Sequence, residues 1–430
     1  MFEVCLNTGT LTWVIVVASV FALVSILMSF RYLRRRRLMA DLPTSKVKGV
    51  FIGQVELKGS AESDGPLTSY LAGTRCVMYR WNISEHWSRI SVHMTKNGPV
   101  AHHESGWKEV AQGGETVPFY LKDDTGVIRI APQGAELHTI QIFDETCDRH
   151  DPLYFDKGPV SEVSNSTHKR RFREDAIPLH STIYVTGYAR ERTDVVAPEV
   201  ARDDRASFFV IATHSEKQLG RSYLLWAWLW FLVGLICAIG IGFAYNASQG
   251  QPGAGIFIAT VAAYLLLLFA GWLWTVFNSL IRLRNRVRQA WSQVDVQLKR
   301  RIDLIPRLVK ATAGYSAYER ELHTALAELR AQSAAPTLGG PVSGIVSAVK
   351  ENYPELKANK LFLKLQGELT DTEQRIALAR TYYNDTVTFY NTRLQIIPEN
   401  FIAVLAGMKH EKLFLAEGFE RTPVQVKLAD

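Results

Sequence analysis

Three uncharged apolar runs stand out along an otherwise mixed chain, at residues 11–30, 224–243 and 254–277. Each holds about 20 residues, roughly 30 Å of helix, which matches the hydrocarbon core of a bilayer. Between the first and second runs the pattern shifts to short alternating stretches broken by glycine and proline. Residues 49–57, 75–84, 127–130, 182–185 and 208–212 read as strands, with turns at Gly65-Pro66 and 124–126. Beyond the third run the apolar period lengthens to three or four. Leu280, Leu283, Val287, Trp291, Val294, Leu298, Ile302, Ile305 and Leu308 form one helical stripe continuing out of the apolar run. Pro306 lacks a backbone donor and is expected to kink or interrupt that helix. Residues 334–344 read as a linker. A second stripe follows, Phe362, Leu365, Leu369, Thr372, Ile376, Ala379, Tyr383, Val387, Tyr390 and Leu394, close to a heptad seam. Pro398 ends it, and Asn400 is expected to cap a short helix through Leu405 before Gly407. Asn384, Asp385 and Asn391 interrupt the second stripe, in positions where polar groups fix helix register.

The charge pattern orients these elements. Arg31, Arg34, Arg35, Arg36 and Arg37 follow the first run; Arg282, Arg284, Arg286 and Arg288 follow the third. Cationic flanks stay cytoplasmic during insertion, so the chain is expected to be a multi-pass membrane protein with both folded domains in the cytoplasm. The expected order is an exported segment 1–10, spans at 11–30, 224–243 and 254–277, and an exported loop at 244–253. A β-rich α+β domain occupies 38–220, an all-α domain 278–420 and a tail 421–430. A cleaved signal is set aside because the arginines come after the first apolar run. Trp226, Trp228, Trp230, Trp272 and Trp274 lie at the cytoplasmic ends of the second and third runs, where an indole meets both lipid and water. Gly234, Gly240 and Gly242 would permit close helix packing, against the plainer reading that scattered span glycines carry no meaning.

Net charge of +7 and a pI near 9.1 suit a protein that meets anionic lipid headgroups. No aromatic-and-basic module points to nucleic acid. Cys5, Cys76, Cys147 and Cys237 contain no C-x-x-C pair and read as reduced structural thiols. The acidic residues Asp144, Glu145, Asp148, Asp151 and Asp156 match no calcium loop and read as solvated rather than metal-binding. His168, Lys169, Arg170, Arg171 and Arg173 read as a solvated face, with lipid headgroups or a second subunit as the alternative; His102-His103 reads as surface. No metal, cofactor or catalytic constellation is expected, and the chain reads as a non-enzyme.

Gly53, Pro66-Leu67 and residues 76–80 (CVMYR), with 151–159 (DPLYFDKGP), 168–174 (HKRRFRE), 177–187 and 207–216, resemble the GIDE or beside-a-membrane domain. In ubiquitin-ligase relatives a RING follows that domain. Its eight Cys/His ligands have no counterpart after the second apolar run here, so the resemblance does not carry ligase chemistry. Those relatives place the domain in an intermembrane space, which keeps an exported orientation open. Residues 284–306, 353–359 (YPELKAN), 368–373, 379–391 and 398–405 resemble the LemA family. That resemblance implies an antiparallel helical bundle on a membrane-anchored first helix, in the inner membrane of a bacterium. The expected function is a membrane scaffold that self-assembles through its LemA-like helices and organises or shapes the membrane. Trp291, Val294, Leu298, Ile302, Ile305, Pro306 and Leu308 are the expected packing and oligomerisation residues, with the nine flanking arginines at headgroups. The expected partners are an anionic bilayer and further copies of the chain. The alternative is a membrane-tethered adaptor in stress response or protein quality control, recruiting a soluble partner through the GIDE-like domain.

Overall fold

The computed structural model describes residues 8–95, 98–192, 194–195, 197–203, 208–213, 216–249, 254–313 and 360–414. The linker at 334–344, the 353–359 motif, the 421–430 tail, Cys5 and the Leu308 and Phe362 side chains lie outside the described residues. The chain divides into two compact units, Thr44–Gln218 and a helical unit formed by Met1–Pro43 with Leu219–Asp430. In chain order the elements are α1 (Thr8–Ala40), β1 (Gly53–Glu62), β2 (Leu67–Thr68), β3 (Arg75–Thr95), β4 (Gly98–Thr116), β5 (Phe119–Lys122), β6 (Val127–Ile130), β7 (Glu136–His138) and β8 (Ile140–Asp148). Then come α2 (Pro152–Asp156), β9 (Ser166–Pro178), β10 (Thr182–Glu191), β11 (Pro198–Ala201), β12 (Val210–Ala212), α3 (Glu216–Gln249), α4 (Ala254–Ala313), α5 (Lys360–Gln395) and α6 (Glu399–Leu405).

In the Thr44–Gln218 unit one sheet closes on itself. β1 pairs with β10 and β5, β5 with β6, β6 with β11, and β11 with β10, which completes a ring. Closure leaves no free edge in the ring and directs alternate side chains inward. Val55, Leu57, Phe119, Leu121, Ile130, Val185 and Val200 fill the interior. β1 changes partner from β10 to β5 around Ser60. A Cβ at the adjacent Gly59 would lie 2.3 Å from the Lys122 carbonyl oxygen, so only glycine allows that crossing. The second sheet is antiparallel, with β3 between β4 and β9, and β8 beyond β9.

Three helices are long and apolar enough to cross a membrane: α1, α3 and the first part of α4. They pack through small and polar residues, the usual means of helix association in lipid. The Ser25 hydroxyl donates to the Trp230 carbonyl, and Ser29 Oγ donates to the Ala227 carbonyl at 3.0 Å. Tyr264 Oη donates to the Phe231 carbonyl at 2.9 Å. Gly234 lies under the Tyr264 ring and Gly242 lies against Phe257, whereas Gly240 faces open space. Two of the three glycines therefore serve close packing. Gly271 adds a third close approach, against the Phe30 ring.

α4 runs 60 residues, roughly 90 Å. Pro306 lies inside it, so of the expected kink or interruption the interruption does not occur. α5 returns antiparallel, since Trp291 meets Tyr383 and, ten residues on, Arg301 meets Glu373 at 3.1 Å. The predicted α5 seam faces α4, with Leu365, Leu369, Thr372, Ile376, Tyr383, Val387, Tyr390 and Leu394 buried. Asn384 and Asn391, seven apart, each bond both backbone groups of a later residue, Phe414 and Glu411 respectively, and so bind residues 408–414 along α5. The cap of α6 differs from expectation. Asn400 lies inside the helix and Pro398 takes the N-cap position. Glu399 at the first position is drawn onto Arg393 instead.

Candidate functional site

The most connected polar site of the helical unit lies where α1 leaves its apolar run. Asp41, one residue past α1, is buried against α4 and α5. Its carboxylate accepts from Ser279 Oγ of α4 at 2.7 Å and from Arg393 Nη1 of α5 at 2.6 Å. Its carbonyl accepts from Arg286 Nη1 at 2.8 Å. Arg393 also donates through Nε and Nη2 to the Glu399 carboxylate of α6, and Arg37 Nη2 stands 3.8 Å from the same group. Three guanidinium groups and two carboxylates thus join α1, α4, α5 and α6. Burial pushes the Asp41 carboxyl up, with Arg393 and Ser279 pulling the other way. Burial also lowers the Arg37 guanidinium, opposed by Glu399.

The nine flanking arginines therefore have unlike surroundings. Arg31, Arg34, Arg36 and Arg288 are exposed, and Arg35 and Arg284 are half-buried. Arg37 and Arg286 belong to the junction, and Arg282 is half-buried between α1 and α4. Trp226, Trp228 and Trp274 are exposed on the helix surfaces, with Trp230 and Trp272 half-buried. On α4, Val294 and Ile305 are fully buried within the unit. Trp291, Leu298, Ile302 and Pro306 keep exposed or half-exposed surface, although Trp291 also packs on Tyr383 and Phe414.

The Thr44–Gln218 unit has its own buried polar centre at Arg170, which overturns the solvated reading for that residue, while His168, Lys169 and Arg173 are exposed as expected. β9 alternates, so Arg170, Phe172, Glu174 and Ala176 point inward while Lys169 and Arg173 are exposed. Arg170 is 0% exposed and donates to Glu85 Oε2 at 3.0 Å and to the carbonyls of Tyr154, Pro159 and Ser161. The Tyr154 ring lies 3.9 Å below the guanidinium carbon. Gly158 lets the 151–159 loop close over it, since a Cβ there would lie 2.6 Å from Arg170 Nη1. Glu174 accepts from the backbone amides of Tyr70, Leu71 and Ala72 at 2.7–3.0 Å. These segments hold the domain together.

Of the acidic residues, Glu145, Asp148 and Asp156 are exposed, as the solvated reading expects, while two are occupied. Asp144 pairs with Arg171, and Asp151 caps α2 by accepting from Leu153 N at 2.8 Å. Among the described residues no group of three His, Cys, Asp or Glu is placed to hold a metal. Cys76 and Cys147 are buried free thiols whose pKa values burial raises to about 11. Both should label at least roughly 100-fold more slowly than an exposed thiol, from the smaller thiolate fraction alone. Maleimide kinetics on the folded protein, against the same protein in denaturant, measure this; matching rates would mean the thiols are open.

Family comparisons find both families read from the motifs, although the GIDE match begins beyond Gly53, Pro66-Leu67 and residues 76–80. The LemA family model matches residues 290–428, and the GIDE model, described as E3 Ubiquitin ligase, matches residues 88–244. The chain thus carries a LemA segment, and a GIDE segment that extends into α3. Protein LemA of Metamycoplasma hominis is 25% identical over 158 residues, 34% of this chain and 72% of that protein. Magnetosome protein MamQ 2 of Paramagnetospirillum magneticum is 21% identical over 203 residues, 39% and 75% of the two chains. Magnetosome protein MamQ of Magnetospirillum gryphiswaldense is 21% identical over 200 residues, 38% and 74%. With three apolar helices of spanning length, the matches support a membrane-associated role of LemA type.

Proposed function

We propose that this chain is a non-enzymatic scaffold of a bacterial inner membrane, with both folded units cytoplasmic, whose copies associate through the α4/α5 bundle and organise the bilayer around them. The observation that carries it is that α4 runs roughly 90 Å without a break from its spanning part into the bundle, with the Asp41 junction fastening the end of α1 to α4 and α5. A hinged bundle would transmit no geometry from one copy to the membrane of the next. The partly exposed α4 stripe of Trp291, Leu298 and Ile302, spaced seven and four residues apart, is the surface for association.

The bundle's membrane-facing end adds support. Residues 408–414 run back along α5, so the chain reverses at α6. Ile397, Phe401 and Leu405 are 72%, 70% and 89% exposed there. Glu399 is tied to Arg37, seven residues or roughly 10 Å beyond the first apolar run, which sets α6 at headgroup depth. An apolar face at that depth rests in the leaflet.

Crosslinking the purified protein in lipid nanodiscs tests the association. A ladder of oligomers is expected, reduced at least about fivefold by Ile302→Glu with the melting temperature retained. A monomer at every concentration would end the proposal.

The adaptor reading draws on one feature: beyond Trp87, β3 pairs only with β4, and Ile90 and Val92 are exposed on that two-stranded arm. In this reading the arm holds a soluble partner. Capture of the same protein by the full chain, lost on Ile90→Lys, would favour it over the scaffold.

A further inference from the structure

A groove of about 850 Å³ lies between α1 and α4 at the end of the spans that carries the arginines. Its walls are apolar, with Leu23 and Leu27 from α1 and Leu267 and Trp274 from α4. Its mouth is cationic: Arg31 and Arg34 come from α1 and Arg282 from α4, and no carboxylate lines it. Arg282 Nη2 is buried without a hydrogen-bond partner. Burial and the neighbouring Arg34 charge push that guanidinium below its ordinary value. Asp41, the acid that attracts it, already accepts from Ser279 and Arg393.

Three like charges around one opening are unfavourable in low dielectric unless an anion joins them. A phosphate offers a tetrahedral, multidentate acceptor that planar guanidinium groups bind through paired N–H donors. The apolar wall continues directly from that mouth into the span region, so the ligand is an anion with a hydrocarbon chain attached. The volume also falls within the range of about 300–1,000 Å³ usual for small-molecule sites.

We infer that the α1–α4 groove binds one anionic phospholipid, its phosphate between Arg31, Arg34 and Arg282 and an acyl chain along the Leu27 and Trp274 wall. The site rests on the reading of α1 and α4 as spans. It goes beyond general headgroup attraction, because it selects three of the flanking arginines and assigns no role to the rest.

The test uses the full chain in nanodiscs of nine parts phosphatidylcholine to one part phosphatidylglycerol, with retained lipid counted by native mass spectrometry. One phosphatidylglycerol per chain is expected. Arg34→Gln with Arg282→Gln should weaken its retention about 30-fold, taking about fivefold per arginine. Arg36→Gln with Arg288→Gln removes the same charge outside the groove and should leave retention unchanged. Equal losses in the two pairs would reduce the effect to general surface attraction and overturn the site. Displacement of the lipid by millimolar inorganic phosphate, with phosphate then found on the protein, would make it a free-anion site and overturn it too. Leu27→Lys, which fills the wall and leaves the arginines, should also lose the lipid. Failure of the span reading is distinguishable: the protein would wash off vesicles in carbonate, whereas failure of the site alone leaves it embedded without lipid preference.

Discussion

Arg170→Met is expected to destabilise the Thr44–Gln218 unit by about 3–5 kcal/mol, the range for breaking a buried ion pair from one side. Arg170 and Glu85 are both fully buried, and Arg170 also satisfies three carbonyls in the loop that covers it. Removing the guanidinium leaves Glu85 charged and three acceptors unpaired. The pH dependence carries a second signature. Burial alone would raise the Glu85 carboxyl, but Ser166, Arg170 and the Val163 amide outweigh it and hold the group below the usual carboxylate range. A depressed carboxyl contributes stability that is present above its unfolded value and lost as pH falls through the folded one. In Arg170→Met the guanidinium no longer counters burial, while the Ser166 and Val163 bonds remain, so that contribution should shrink and the rise of stability with pH should flatten. Hydrogen exchange of β3 and β9 amides in the full-length protein, between pH 4 and 8, reads both effects. A loss under about 1 kcal/mol would mean the pair is not holding the domain. Adding Glu85→Leu to Arg170→Met should recover part of the loss, because it removes the stranded charge.

The limits of sequence reading follow the same physics. The three long apolar helices are legible because a bilayer demands about 20 uncharged residues, and no other solvent does. The α5 seam was legible because Leu365, Leu369, Ile376 and Val387 repeat on one face of a helix. β9 was not read as a strand, because two of its inward positions are charged. Arg170 shares parity with Phe172 and Ala176, a usable signal, but its partners come from a loop 9–16 residues earlier and a strand 85 residues away. The antiparallel partner of β3 is hidden for a similar reason: β4 is polar and alternates weakly, because it is an edge strand with β3 as its one neighbour along its length. In the sequence alone Arg37 and Arg286 are indistinguishable from the neighbouring arginines expected at headgroups. Only the tertiary fold distinguishes them, since Asp41 and Arg393 meet across 352 residues. Ser279 and Arg286 flank the buried Leu283 and Val287, which was the one local hint of an inward-facing polar pair.

Asp41→Ala should loosen the junction by about 3 kcal/mol, because Arg393 and Ser279 lose their common acceptor while Arg37 and Arg393 remain close to each other. Exchange of the α6 amides and of the last turn of α5 should then rise about 100-fold, with the spans unaffected. Unchanged exchange would show that apolar packing alone fixes α6. Asp41→Asn should do less harm, since an amide oxygen can still accept from Ser279 or Arg393. Its pH dependence separates it from the Glu85 case. Burial, the largest influence, raises the Asp41 carboxyl in the folded state. The folded protein therefore holds its proton to higher pH than the unfolded chain, and stability falls as pH rises through the window above the usual carboxylate value. The stability difference between Asp41→Asn and the parent should accordingly shift in favour of the variant from pH 4 to pH 7, the opposite slope to that contributed by Glu85. A charge exchange, Asp41→Arg with Arg393→Asp, should restore slow exchange at α6 if the ion pair itself joins the first span to the bundle. Failure of the exchange to rescue, with each single variant folded, would assign the loss to packing around Asp41 instead.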